Sequence, residues 1–218
     1  MKVYLEVGQK KVFAVGLDWI GLARSGKIEA ATLETLLEYA PRYLKTMGAA
    51  AADLKAPRSV RDLDVVERLI GNATTDFGAP GVVPGADKGD VADKELESHI
   101  KLLRAAWHAF DRAADSASGH ELAPSGPRGG GRELAKIRDH VRGAEAGYTG
   151  AVGGKARESD AWDLIQHAFV AAVRARARGE IPDRGPRGGQ RWPARFAIRR
   201  SAWHALDHTW EIEDRVSG

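Results

Sequence analysis

The chain has 218 residues, of which 43% are hydrophobic and 29% are charged, with a net charge of +3 at pH 7 and no cysteine. This composition is typical of a globular protein, and the lack of cysteine excludes disulfide bonds, thiolate metal ligands and cysteine nucleophiles. The small positive charge does not indicate a nucleic-acid-binding protein, and no apolar run is long enough to span a membrane. We therefore expect a cytoplasmic protein with neither membrane nor nucleic acid as a partner.

The N-terminal residues predict a β-hairpin. Residues 2–7 alternate apolar and polar side chains, and residues 10–17 form a second run of β-favouring residues. Gly8 and Gln9 lie between the two runs, where a tight turn is expected. Residues 19–26 contain two glycines and are expected to form a loop.

A helix and a third strand are predicted next. Residues 29–47 carry leucines at helical spacing, with Pro41 expected to kink this helix or to divide it in two. Residues 63–70 are rich in Val, Leu and Ile and predict a strand. A Gly- and Pro-rich stretch that extends to Gly89 follows, and it is interpreted as a linker. Residues 1–80 are therefore expected to form a small β-β-α-β module.

From residue 90 onward the pattern becomes helical. Four segments carry apolar residues at intervals of three and four, which is typical of helices packed in a bundle. The overall prediction is an α+β chain in which residues 90–218 form a four-helix bundle. Representative apolar positions are Leu96, Ile100, Leu103, Trp107 and Phe110 in the first helix, Ile137 and Val141 in the second, Ile165 and Phe169 in the third, and Leu206 and Trp210 in the fourth, which is expected to begin at Pro193.

Three histidines are candidate metal ligands. His204 and His208 are separated by one helical turn and share a face of the fourth helix. His140 follows Ile137 by one turn on the second helix, where the small Ala144 leaves room for a neighbouring helix. Three imidazoles suit Zn²⁺ and similar divalent metals and leave a coordination position for water. The alternative for an i, i+4 histidine pair is polar packing on a helix face.

Two carboxylates could act beside such a site. Glu211 shares the face of His204 and His208 and is a candidate general base or orienting partner for an imidazole. Glu145 is the second candidate catalytic carboxylate. The alternatives are solvated side chains or, for Glu211, an ion pair with Arg215 one turn away.

The loops before the second and fourth helices are near copies of one another. Both contain a Gly-Pro-Arg-Gly-Gly sequence, with Arg128 in the first loop and Arg187 in the second. One interpretation is that the two loops bind an anionic cofactor through Arg side chains and backbone N–H groups. The other is that they are flexible connections in an arginine-rich protein.

Residues 90–215 resemble the DinB-like superfamily, which includes mycothiol-dependent maleylpyruvate isomerases and YfiT-type thiol transferases. The resemblance rests on His140-Val141 followed by Glu145 and Tyr148, and on a terminal HxxxH formed by His204 and His208. It implies a divalent metal, commonly zinc or nickel, bound by His140, His204 and His208. It also implies a low-molecular-weight thiol such as mycothiol or bacillithiol and a small-molecule substrate.

Residues 18–26 and the helix after them resemble the HicB-like antitoxin fold, with Ile20 at the position of the family's loop proline. This resemblance implies protein partners, among them a second copy of the chain paired through the sheet edge.

Two hypotheses follow. The first is a metal-dependent thiol transferase, or a hydrolase of a small anionic substrate. The alternative is a non-catalytic interaction or antitoxin-like module with a structural metal.

Overall fold

The computed structural model of the chain describes residues 1–124 and 131–216 and divides the chain into two compact units. Unit 1 comprises Met1–Gly89 and unit 2 comprises Asp90–Gly218. Unit 1 contains a mixed β-sheet, and the elements described in unit 2 are helices, so the expected α+β class is confirmed. None of the helices in the described ranges combines the length and the apolar character that crossing a lipid bilayer requires.

Unit 1 is built on a four-stranded sheet with the order β3-β2-β1-β4. Strands β1 and β2 form the expected antiparallel hairpin, in which the N–H of Gly8 donates to the carbonyl of Lys11. Strand β4 lies parallel to β1 at one edge of the sheet. The strands and longer helices are β1 (Lys2–Val7), β2 (Val12–Gly16), β3 (Ala23–Gly26), α1 (Glu29–Met47), β4 (Asp64–Ile70) and α2 (Ala73–Phe77).

The expected β-β-α-β order is wrong at one place, because the segment predicted as a loop contains β3. Its four residues pair antiparallel with β2, from Val15 opposite Ala23 to Val12 opposite Gly26. β3 is too short and too polar to show the alternation of apolar residues that predicts a strand. It forms because the edge of β2 is free to pair with it. Arg24 is buried, with its guanidinium 4.1 Å from the centre of the Tyr39 ring. The observed order is β-β-β-α-β.

Helix α1 has the bounds predicted from the sequence and continues through Pro41 without a break. It packs on β2 and β3, where the Tyr43 hydroxyl donates to the carbonyl of Ile20. The opposite side of β1 carries Glu6, which is fully buried and accepts hydrogen bonds from the Thr75 hydroxyl and the N–H groups of Gly81 and Val82. The segment predicted as a linker is thus partly anchored to the sheet.

The described part of unit 2 consists of four helices. Helix α6 packs against α3, α4 and α5, and α4 also packs against α5. The apolar positions identified from the sequence are buried and form the core between these helices. The helices are α3 (Asp93–Ser116), α4 (Leu134–Val152), α5 (Trp162–Ala177) and α6 (Ala194–Val216).

Candidate metal centre

Helix α6 places two histidines in the interior of unit 2. It begins directly after Pro193, whose fixed φ and missing N–H suit a helix start. Trp203, Leu206 and Trp210 are buried and hold the helix against its neighbours. His204 and His208 lie one turn apart and are each only 7% exposed. The apolar face of α6 therefore fixes where the two imidazoles lie.

Helix α4 brings His140 to the same place. Its Nε2 atom lies 3.1 Å from Nε2 of His204, and its ring centre is 5.0 Å from the ring centres of both His204 and His208. The rings of His204 and His208 are 4.6 Å apart. One nitrogen of each histidine lies within 4.8 Å of the others. The structure therefore brings together the three histidines singled out in the sequence.

The spacing of these nitrogens can be compared with that of a tetrahedral zinc site. Bonds of 2.0–2.1 Å at the tetrahedral angle place two ligand nitrogens about 3.3 Å apart. The distance of 3.1 Å between His140 and His204 is close to this value. The nitrogens of the cluster lie at most 4.8 Å apart, so the largest separation must close by no more than about 1.5 Å to reach the tetrahedral value. The three residues therefore fit a divalent metal in number, chemistry and approximate position.

Protonation also favours coordination, because an imidazole binds a metal only through a nitrogen without a proton. Burial, together with the neighbouring His208 and His140, holds the pKa of His204 well below its ordinary value of 6.5. Partial desolvation and the proximity of His208 lower the pKa of His140 as well. Arg132 contributes to both shifts. His140 and His204 are therefore neutral at pH 7, and a metal has no proton to displace from their lone pairs.

Glu211 orients His208 from behind. Its Oε2 atom lies 2.7 Å from Nδ1 of His208, and its Oε1 atom accepts from the guanidinium of Arg215 at 3.2 Å. Burial alone would raise the pKa of Glu211, but the hydrogen bond from His208 and the charges of His208 and Arg215 outweigh it, so this pKa is lowered. In a neutral imidazole, an ionised Glu211 favours the tautomer of His208 with the proton on Nδ1, in which Nε2 is the nitrogen available to a metal. This carboxylate–imidazole pairing is typical of histidines that bind metals.

Arg215 anchors this arrangement. It is 3% exposed and donates to the carbonyls of Ala123 and Arg132, each at 2.7 Å, in addition to Glu211. The sequence offers an i, i+4 ion pair between Arg215 and Glu211 as the alternative to a role of Glu211 beside the histidines. In the structure Glu211 contacts both Arg215 and His208, so the two roles are compatible.

Glu145, the second candidate catalytic carboxylate, lies in the core between helices. Its Oε2 atom accepts from the Ser201 hydroxyl at 2.7 Å and from the Trp107 indole N–H at 3.4 Å. Its Oε1 atom is buried and has no hydrogen-bond partner among the described residues. Burial raises the pKa of Glu145 from 4.5 to about 7, against the opposing effect of these two donors. Its hydrogen bonds thus connect it to Ser201 and Trp107 and not to an imidazole.

Two guanidinium groups and several aromatic rings adjoin the histidines. Arg132 and Arg200 both help to lower the pKa of His204, after burial and the two neighbouring imidazoles. The Arg200 guanidinium lies 4.7 Å from the centre of the Trp203 ring and 5.7 Å from that of Tyr148. The Tyr148 ring in turn lies 5.7 Å from the ring of His204. Guanidinium groups and aromatic rings therefore adjoin the cluster, and the positive charge of the guanidinium groups favours an anionic ligand.

The two arginines proposed from the loop repeat are not part of this arrangement as far as the structure describes it. Arg128 lies outside the described residues. Arg187 is exposed in a tight turn closed by a bridge between Arg184 and Gln190, and within the described ranges no hydrogen bond or ion pair links it to the three histidines. Its role as a cofactor-binding residue stays a prediction. Several other arginines of α5, α6 and the segment between them form ion pairs with carboxylates, namely Arg174 with Glu97, Arg176 with Asp183, Arg178 with Glu180 and Arg195 with Glu95.

Sequence reasoning singled out Arg128 and Arg187 as the cofactor-binding arginines, whereas Arg132 and Arg200 are the ones that adjoin the histidines. Arg200 lies four residues before His204 on α6, so helical spacing could have placed it on the same face. Arg132 precedes α4 and ends the first of the two near-copied loops, so the loop repeat is the sequence signal that links it to the site. Comparison of the chain with protein-family models, with curated proteins and with solved structures finds no match.

Proposed function

We propose that unit 2 binds one divalent metal ion, zinc or nickel, through His140, His204 and His208. The observation that carries the proposal is the convergence of three imidazole nitrogens from α4 and α6 within 4.8 Å. The neutral state of His140 and His204 and the carboxylate behind His208 support it. Among the described residues the cluster holds these three histidines and no fourth ligand. Exogenous ligands would complete the coordination sphere.

We further propose, following the DinB-like resemblance, that the metal serves a thiol-dependent transfer or a hydrolysis of a small anionic substrate. A metal held by three imidazoles lowers the pKa of a bound water toward 7 or stabilises a bound thiol as its thiolate. Arg132 and Arg200 would attract the anionic group, and the faces of Tyr148 and Trp203 would limit the access of water. Glu211, held as a carboxylate, would keep His208 in the tautomer that binds the metal.

The metal proposal is tested by titrating chelator-treated protein with Zn²⁺ in competition with a chromophoric chelator. We expect about one ion per chain in the wild type and loss of this binding in His140→Ala. The matched control is His167→Ala, which removes an exposed imidazole from α5 and should bind zinc as the wild type does. Equal binding by wild type and His140→Ala, or no binding by either, would contradict the proposal.

The thiol proposal requires a second readout, because zinc has no visible spectrum. Protein loaded with Co²⁺ should change its visible absorption when mycothiol or bacillithiol is added, since a thiolate bound to cobalt alters the ligand field. If the visible spectrum of the Co²⁺-loaded protein does not change with either thiol, the result favours the hydrolase. Hydrolysis does not require a thiolate bound to the metal. The two titrations separate metal binding from the chemistry proposed for the metal.

The alternative is an interaction module, and the edge strand of unit 1 favours it. Strand β4 is an outer strand of the sheet, and Ile70 at its end is 91% exposed. Phe77, in the helix that follows, is 87% exposed. An edge strand with exposed apolar residues can pair with another chain, here a second copy through β4. Sedimentation of wild type and Ile70→Glu tests this, because a dimer formed through this edge should dissociate in the variant.

A further inference from the structure

A groove separates α3 from α5 in unit 2, on a different pair of helices from the histidine cluster. Its volume is about 330 Å³. This lies at the lower end of the range for small-molecule pockets, about 300–1,000 Å³. The groove is lined by Arg104, Trp107, His108, Gln166, His167 and Val170.

Each polar side chain of the groove can donate a hydrogen bond. Arg104 contributes a guanidinium, His108 and His167 contribute imidazoles and Gln166 an amide, and none of the six lining residues is an acid. The neighbouring carboxylates are already engaged. Glu97 accepts two hydrogen bonds of 2.7 Å from Arg174, and Asp111 accepts one of 3.0 Å from the Trp162 indole. The lining itself therefore carries the positive charge of Arg104 and several N–H groups, while Glu97 acts on Arg104 and Asp111 on His108 from outside the lining.

The floor of the groove is apolar and rigid. Trp107 and Val170 are buried in the core beneath it. The Trp107 ring meets the edges or faces of Trp162 and Phe169 at ring distances of 6.1 and 5.9 Å, and its N–H is directed to Glu145. A ring held on three sides cannot turn away when a ligand arrives, so Trp107 itself needs no ordering on binding.

We propose that this groove binds a small organic carboxylate with a flat apolar body. The carboxylate lies against Arg104, with His108, Gln166 and His167 as further donors, and the apolar body rests on Trp107 and Val170. A planar guanidinium matches a carboxylate with two parallel hydrogen bonds, and the apolar floor selects an organic anion over a small inorganic one. This inference is independent of metal binding at the histidine cluster.

The experiment follows benzoate binding to the full-length, chelator-treated chain by two-dimensional NMR, with the side-chain N–H signals of Arg104 and Trp107 as reporters. We expect saturable shifts of both signals and an apparent Kd at least tenfold weaker in Arg104→Gln. The matched control Arg112→Gln makes the same change at another exposed arginine of α3, outside the groove lining, and should bind as the wild type does.

Two further measurements show where on the chain benzoate binds and what the apolar floor contributes. His140→Ala should bind benzoate normally, and loss of binding in that variant would place the anion at the histidine cluster and overturn the proposal. Inorganic phosphate should bind more weakly than benzoate, and equal or tighter binding would refute the role of the apolar floor. Unchanged affinity in Arg104→Gln, or shifts that do not saturate, would likewise overturn the assignment.

Discussion

Replacement of Glu145 by Gln should change how the stability of unit 2 depends on pH. Burial raises the pKa of Glu145 from 4.5 to about 7 in the folded chain, so between these values the folded state holds a proton that the unfolded state has released. The contribution of Glu145 to stability is therefore fully present below pH 4.5 and is lost as the pH rises through 7. At about 1.36 kcal/mol per pKa unit, the loss approaches about 3 kcal/mol at high pH. About 2 kcal/mol of it lies between pH 5 and pH 8.

The glutamine side chain has nearly the same shape as that of Glu145 but does not ionise, so the variant should lack this pH-dependent loss. Urea unfolding of the metal-free chain at pH 5 and pH 8 measures it. Tryptophan fluorescence reports mainly on unit 2, because five of the six tryptophans lie there. The difference in free energy of unfolding between Glu145→Gln and wild type should therefore shift in favour of the variant by about 2 kcal/mol from pH 5 to pH 8. The control Glu121→Gln, at an exposed position, should show no such difference. A wild-type and variant pair with parallel pH dependence would refute the reasoning.

Three other predictions concern buried contacts. Arg215→Met leaves Glu211 and two carbonyls without their buried donor, so urea unfolding should show a loss of about 3–5 kcal/mol, and a loss below about 1 kcal/mol would contradict this. Glu211→Gln weakens the orienting bond to His208, so the apparent zinc Kd should rise about 10- to 100-fold in chelator competition, whereas an unchanged Kd would argue against this bond as a support for the metal. Glu6→Gln turns an amide group toward the N–H of Gly81, so unit 1 should lose about 1–3 kcal/mol. Hydrogen exchange at the Gly81 amide should then accelerate, and unaltered exchange would show that Glu6 does not hold this segment.

The parts of the fold that follow hydrophobic periodicity were predictable from the sequence. Helix α1 has the predicted bounds, and the hairpin of β1 and β2 and the four helices of unit 2 were expected from patterns with periods near 2 and 3.6. Strand β3 was missed because pairing with β2, and not its own composition, makes it a strand. Pro41 did not divide α1, since the loss of one backbone hydrogen bond is offset by the buried face on both sides of it.

The candidate site was predictable to the extent that it depends on helical spacing. His204 and His208 were placed together by their separation of four residues, and His140 by its position after the buried Ile137. What spacing within one helix cannot give is the contact between helices. The bond from Trp107 to Glu145 joins residues 38 positions apart, and the bond from Arg215 to Ala123 joins residues 92 apart. Such pairs depend on how helices and loops that are distant in the chain come together, which no local pattern in a single sequence indicates.

The two carboxylates singled out in the sequence are driven in opposite directions by their surroundings. Glu211 receives a hydrogen bond from His208 and the charge of Arg215, and its pKa is lowered. Glu145 has only neutral donors in Ser201 and Trp107, and burial raises its pKa to about 7. Groups whose environments separate their pKa values in this way are suited to different tasks. Glu211, whose pKa is lowered, accepts a hydrogen bond from an imidazole as a carboxylate, whereas Glu145 changes charge near neutral pH. Unit 2 thus combines one carboxylate suited to supporting a metal with another suited to making stability depend on pH.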